Sequence, residues 1–143
     1  MTRSLSIAVL ALAVCVSACT RRVPTPTPTP TPSAGARVLE TREGLASFYG
    51  EAFQGRTTAS GRPFDMNEMV AAHPRYAFGT LLRVTNLTNG QSINVRVQDR
   101  GPARRAQSEG VIIDVSRGAA EALGFVRQGR VRVRLEVLEW GDP

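Results

Sequence analysis

A small, mainly β domain, a barrel or sandwich with one short helix, is the fold class this sequence predicts. Three observations carry the prediction. Short runs rich in β-branched and aromatic residues recur between residues 42 and 140, separated by Gly, Asn and Pro. A single Ala-rich segment, SRGAAEALG at 116–124, has the signals of a helix. Several short strands and one helix within roughly a hundred residues fit a small closed or two-layered β architecture.

The first 18 residues, MTRSLSIAVLALAVCVSA, read as a leader rather than a fold. Arg3 gives a short positive start, and Ile7 to Val16 form an apolar stretch too short to span a bilayer but suited to a signal peptide. The VSAC that ends at Cys19 resembles the lipobox of bacterial lipoproteins. That resemblance implies cleavage before Cys19, a lipid on its sulfur and an acylated amino terminus, hence a membrane anchor. Thr20 in place of aspartate after the cysteine implies a periplasmic protein anchored in the outer membrane. The alternative is a plain secretory signal. Cys15 falls in the leader and Cys19 at its end, so residues 20–143 hold no thiol and no disulfide.

Residues 19–41 read as the lipidated cysteine and a Thr-Pro-rich linker. Proline has no amide donor and restricts its predecessor, so the TPTPTPTP at 25–32 is expected as extended polyproline II, at about 3.1 Å per residue. It is either a stiff spacer or a structureless tail.

The domain is expected over 42–140. LASFYG (45–50) reads as its first strand. LLRVTNL (81–87) is a second, and TNG at 88–90 turns it into a hairpin with SINVRVQ (92–98). VIIDV (111–115) is a continuous apolar run, the mark of a buried strand. VRVRLEVLEW (131–140) alternates, with Val131, Val133, Leu135 and Val137 on one face and Arg132, Arg134, Glu136 and Leu138 on the other. In the helix Ser116 is the expected N-cap and Gly124 the C′ residue, with Ala119, Ala120 and Leu123 on the packing face.

The formal charge of +6 comes with 18 basic residues, every one an arginine, which suits an anionic partner. Aromatic residues make up only 6%, against a stacking platform for single-stranded nucleic acid, and nucleic acid is not expected as a partner. His73 is the sole histidine, so no metal site built on His and Cys is expected, and no cofactor.

INVRVQDRGPARR (93–105) is the stretch of greatest interest. Strand alternation puts Ile93, Val95, Val97 and Asp99 on one face, and Asn94, Arg96, Gln98 and Arg100 on the other. Asp99 is thereby expected in line with core residues, where burial favours the protonated acid, while Arg100 points away. Gly101-Pro102 ends the strand and leaves Asp99 at a rim. It is a proton donor or a carboxylate capping a turn. Asp114, directly before the helix, reads as structural, and Tyr49 as a groove platform or a core aromatic.

The blocks ASFYG (46–50), AAH (71–73), GTLLRVTNLTNG (79–90), VQDRGP (97–102) and IDVSRGAAEALG (113–124), in this order, resemble the RlpA (rare lipoprotein A) family over about residues 44–138. The resemblance implies a six-stranded double-psi β-barrel and a lytic transglycosylase acting on peptidoglycan glycan strands, preferably peptide-free. The cut would fall between N-acetylmuramic acid and N-acetylglucosamine and leave a 1,6-anhydro product. It implies Asp99 as the catalytic acid, with His73 and Asp65 assisting. Tyr49, Arg100 and Arg104 are expected to bind substrate, and cell-division or wall-remodelling proteins are possible partners. One position departs: Arg62 stands where the family usually has an acid. The competing reading is a non-catalytic, expansin-like peptidoglycan binder. Because a muramoyl C6 hydroxyl serves as nucleophile, a single carboxyl group can act as acid and then base.

Overall fold

The computed structural model describes residues 37–142. The leader, Cys19 and the Thr-Pro stretch lie outside them. The elements are β1 (Glu40–Tyr49), a 3-10 turn (Glu51–Phe53), β2 (Val70–Ala72), β3 (Leu81–Asn86), β4 (Ser92–Asp99), α1 (Arg104–Ser108), β5 (Val111–Ser116), α2 (Arg117–Ala122) and β6 (Val131–Glu139). The six strands close into a barrel in the order β1-β5-β2-β4-β3-β6, with β6 returning to β1. The pairs β1/β5 and β2/β4 are parallel, and the others are antiparallel.

Alternation fills the barrel. Val133, Leu135 and Val137 of β6 are 0–1% exposed, as are Leu82 and Val84 of β3 and Val95 and Val97 of β4. The intervening arginines of β6 stay outside, where Arg134 bonds Glu43 of β1 at 2.9 Å. That ladder explains why β1 starts at Glu40, within the residues the sequence assigns to the linker. Its first half, ETREG, has no apolar face to announce a strand, yet it pairs with β6 from Glu40–Val137 onward.

The β3–β4 hairpin turns as expected. Gly90 takes φ 76°, and its amide bonds the Asn86 carbonyl at 2.8 Å. Asn86 is buried and ties this turn to the end of α2 by donating to the Leu123 carbonyl at 2.9 Å. In α2, Ser116 Oγ accepts the Ala119 amide, and Ala119, Ala120 and Leu123 are fully buried. The 3-10 turn, β2 and α1 were not predicted. β2 has three residues, too few for a period. α1 has five, none of them buried, and no side-chain cap.

Candidate functional site

Four strands contribute to one row of residues. Register sets Ser47 of β1 against Asp114 of β5, Asp114 against Ala72 of β2, and Ala72 against Asp99 of β4. Residues paired across strands share a face. The preceding row, Val115, Ala71 and Val97, is completely buried in the core. Asp99, Ala72, Asp114 and Ser47 therefore stand on the outer face.

This corrects the expected orientation of Asp99. Ala71 pairs with Val97, but Ala72 pairs with Asp99, so one step along β2 spans two along β4. Gln98 is the extra residue of a β-bulge, and its carbonyl accepts the Ser60 amide at 3.2 Å. The bulge takes Asp99 off the line of Val95 and Val97 and aims it outward, a use of bulges frequent beside functional sites.

Asp99 and Asp114 open on a common cleft of about 530 Å³, whose walls include Tyr49, Arg100 and Arg104. Oδ1 of Asp99 accepts the Ala59 amide at 2.9 Å and its neighbour's, Arg100, at 2.8 Å. The bonds of a turn-capping carboxylate are thus present in a residue that also faces the cleft. The Arg100 guanidinium is turned away from Asp99. It donates to the carbonyls of Tyr76 (2.8 Å) and His73 (3.2 Å) and lies 3.8 Å from the Phe78 ring centre. This supports the wall rather than offering a free charge. Arg104, in the first turn of α1, is exposed at the cleft.

Tyr49 stacks on Phe64, with ring centres 4.3 Å apart, and meets Phe53 edge-on. Its hydroxyl is buried without a hydrogen-bond partner among the described residues. Burial raises its pKa first, and the charges of Asp99 and Asp114 raise it further. The phenol thus stays a neutral donor beside two carboxyl groups. Asp114 is the residue the sequence reading left out of the site, because its place in a buried-looking run just before a helix suggested a structural role. Burial pushes its pKa above the usual carboxylate range, against the opposing pull of a Ser47 hydroxyl bond and, more weakly, Arg130.

His73 and Asp65 do not line this cleft. The His73 ring is stacked on Tyr76 at 3.7 Å, and its Nδ1 accepts the amides of Tyr76 (2.9 Å) and Arg75 (3.2 Å). It reaches a neighbouring recess of about 210 Å³ with Arg42 and Gln107, and its link to Asp99 is by backbone, amide to carbonyl at 3.1 Å. Asp65 Oδ1 accepts from the Asn67 amide and side chain in a tight turn. Arg62 lines a separate groove with Glu68, Arg96 and Gln98, so the departure from the family's acid falls outside the Asp99 cleft. Among the described residues no three His, Cys, Asp or Glu side chains gather as a metal ion requires.

Burial, followed by the charges of Arg42 and Arg100, lowers the His73 pKa to about 4. The neutral ring is what the fold holds. Its contribution to stability is full above about pH 6.5 and is lost as pH falls from there towards 4, where the unfolded chain binds a proton that the folded chain refuses. The thermal unfolding midpoint is expected to drop across that window, and His73→Gln is expected to lessen the drop by on the order of 5 °C. Equal drops in the two proteins would assign the pH dependence to other groups.

Comparison with known proteins adds a family to this geometry. A family described as lytic transglycolase matches residues 41–135. The chain is 48% identical over 102 residues to the endolytic peptidoglycan transglycosylase RlpA of Neisseria meningitidis serogroup A, covering 71% of this chain and 41% of that protein. It is 44% identical over 106 residues to a probable endolytic peptidoglycan transglycosylase RlpA of Synechocystis sp., covering 74% and 32%. The chain thus spans well under half the length of these curated relatives. Among solved structures, an apo expansin of Clavibacter michiganensis aligns with TM-score 0.55 and 25% identity over 73% of this chain and 53% of that one. The Streptomyces papain inhibitor shares the fold, with TM-score 0.57 and 21% identity over 73% of this chain and all of that one.

Proposed function

The chain belongs to the RlpA family of double-psi β-barrel lytic transglycosylases, and from that premise we propose that it cleaves peptidoglycan glycan strands. The bond broken joins N-acetylmuramic acid C1 to the O4 of N-acetylglucosamine. The muramoyl C6 hydroxyl replaces that oxygen, giving a 1,6-anhydro end without consuming water. The observation that carries the reading is the outward aim of Asp99 into a cleft wide enough for sugar rings. A bulge is retained there at the cost of regular pairing. Arg104 stands where it can meet the lactyl carboxylate that peptide-free strands expose, and Tyr49 forms part of the cleft wall. His73 and Asp65 serve by fixing the loops around the cleft. Endolytic action is proposed from the similarity to relatives that are endolytic transglycosylases.

The leader and VSAC support a lipid on Cys19 and attachment to the periplasmic face of the outer membrane, with the Thr-Pro stretch as spacer towards the wall. Wall-remodelling or division proteins are the natural partners in that place. A second reading, expansin-like binding without cleavage, has the structural likeness to an expansin and Arg62 in its favour.

One experiment separates the two. The full chain is incubated with peptide-free glycan strands, and the products are examined by mass spectrometry. Muramoyl ends 18 mass units lighter than hydrolysis would leave are the expected result, by loss of one water (about 18 Da) from the closed ring. Sedimentation on sacculi with no such ends would establish the binder.

A further inference from the structure

Asp114 has no assigned part in catalysis, yet it lies in the row that carries Asp99. Ala72 separates the two, and both pair with it directly. Two strand spacings put their backbones roughly 10 Å apart, with only a methyl group between them on the cleft floor. Both side chains line the same cleft. A Cβ on Gly101 would stand 3.4 Å from the Oδ2 of Asp114 and 3.3 Å from Ala72 Cβ. A glycine in that position leaves the oxygen uncovered.

The two acids are held differently. Asp99 uses Oδ1 twice as an acceptor, from two main-chain amides. Asp114 takes one hydroxyl bond, from Ser47, and both aspartates are half-buried. The charged and titratable groups around it are Tyr49 of β1, Asp99 of β4 and Arg130 before β6. Burial outweighs the others and favours its protonated form.

We infer that Asp114 is the catalytic acid of this cleft and Asp99 the base, a division of labour between two carboxyl groups on one face of the sheet. The assignment rests on the transglycosylase reading above. Asp114 gives its proton to the O4 of N-acetylglucosamine as the C1–O4 bond breaks. The muramoyl O6 then bonds to C1, and its proton passes to Asp99. Exchange with solvent returns the proton to Asp114, so atoms and charge balance and no water is consumed. The departing O4 and the arriving O6 lie on the same side of the muramoyl ring, which a pair on a single sheet face can serve.

The test uses two substrates. Peptide-free glycan requires a proton on its leaving oxygen. A muroglycan fragment with 2,4-dinitrophenol β-linked to its terminal N-acetylmuramic acid does not, because that phenolate leaves unaided. Asp114→Asn is expected to lose about 10²- to 10⁴-fold on glycan and to stay within about tenfold of the unaltered protein on the activated fragment. Asp99→Asn is expected to lose on both. Rescue of Asp99→Asn instead, or full activity of Asp114→Asn on glycan, overturns the assignment.

Should Asp114→Asn not fold, Ser47→Ala decides. Its lost bond lets the Asp114 pKa rise further, so the alkaline limb of the rate profile moves to higher pH. A limb that stays in place overturns the inference. Failure of the unaltered protein to form anhydro ends strikes the proposed function itself and is read separately.

Discussion

Asp99→Asn is expected to lower anhydro-product formation by about 10²- to 10⁴-fold, the usual weight of a proton-transfer group, and to leave sedimentation on sacculi unchanged. The substitution is nearly isosteric. An asparagine oxygen can still accept the Ala59 and Arg100 amides that now end on Oδ1. The 58–62 turn keeps its own bonds, from the Thr58 hydroxyl and amide to the Arg62 carbonyl at 2.8 Å. What is lost is the capacity to take up a proton. A variant that keeps activity within tenfold, measured by mass spectrometry of the released ends, would remove Asp99 from the chemistry and leave it as a turn cap.

Phe125→Ala is expected to have the largest effect on stability. Phe125 is fully buried and meets Phe48 of β1 edge-on, with ring centres 5.9 Å apart. It follows the C-terminal end of α2, where its amide bonds the Ala120 carbonyl at 3.1 Å. It thereby packs α2 against β1 inside the core cluster. Truncation of a buried phenylalanine costs about 3–5 kcal/mol, which in a domain of this size lowers the thermal midpoint by on the order of 20 °C. Both cysteines precede the described residues, so no disulfide within the domain offsets the loss. A drop of only a few degrees in a circular-dichroism melt would show that the barrel can collapse onto the gap.

The same residues show what could be read in advance. β6, the β3–β4 hairpin, β5 and α2 were legible because each has a period, a turn or a cap that local chemistry dictates. The wet half of β1 was hidden, since its pairing depends on charges that β6 supplies from 91 residues away, as in Glu43 with Arg134. β2 is a strand only because β4 and β5 flank it. The closed barrel matched the family expectation, and the cleft gathered Tyr49, Asp99, Arg100 and Arg104. Alternation misplaced the face of Asp99 because Gln98 interrupts it, and a bulge leaves no mark in composition. Asp114 looked structural because it sits in a buried apolar run that leads into a helix. Only closure shows that its spatial neighbours are Ala72 and Ser47. His73 and Asp65 carried the family motif into place without reaching the cleft wall, which no spacing along the chain could reveal.

The order in which the strands close bears on when the molecule can act. Ala72 and Asp99 pair directly, but Asp114 and Ser47 join their row only when β5 slots between β1 and β2. Pairings between such distant stretches carry a loop-closure cost and slow folding. A chain half-unravelled by heat therefore holds Asp99 and Asp114 apart, with no assembled cleft between them.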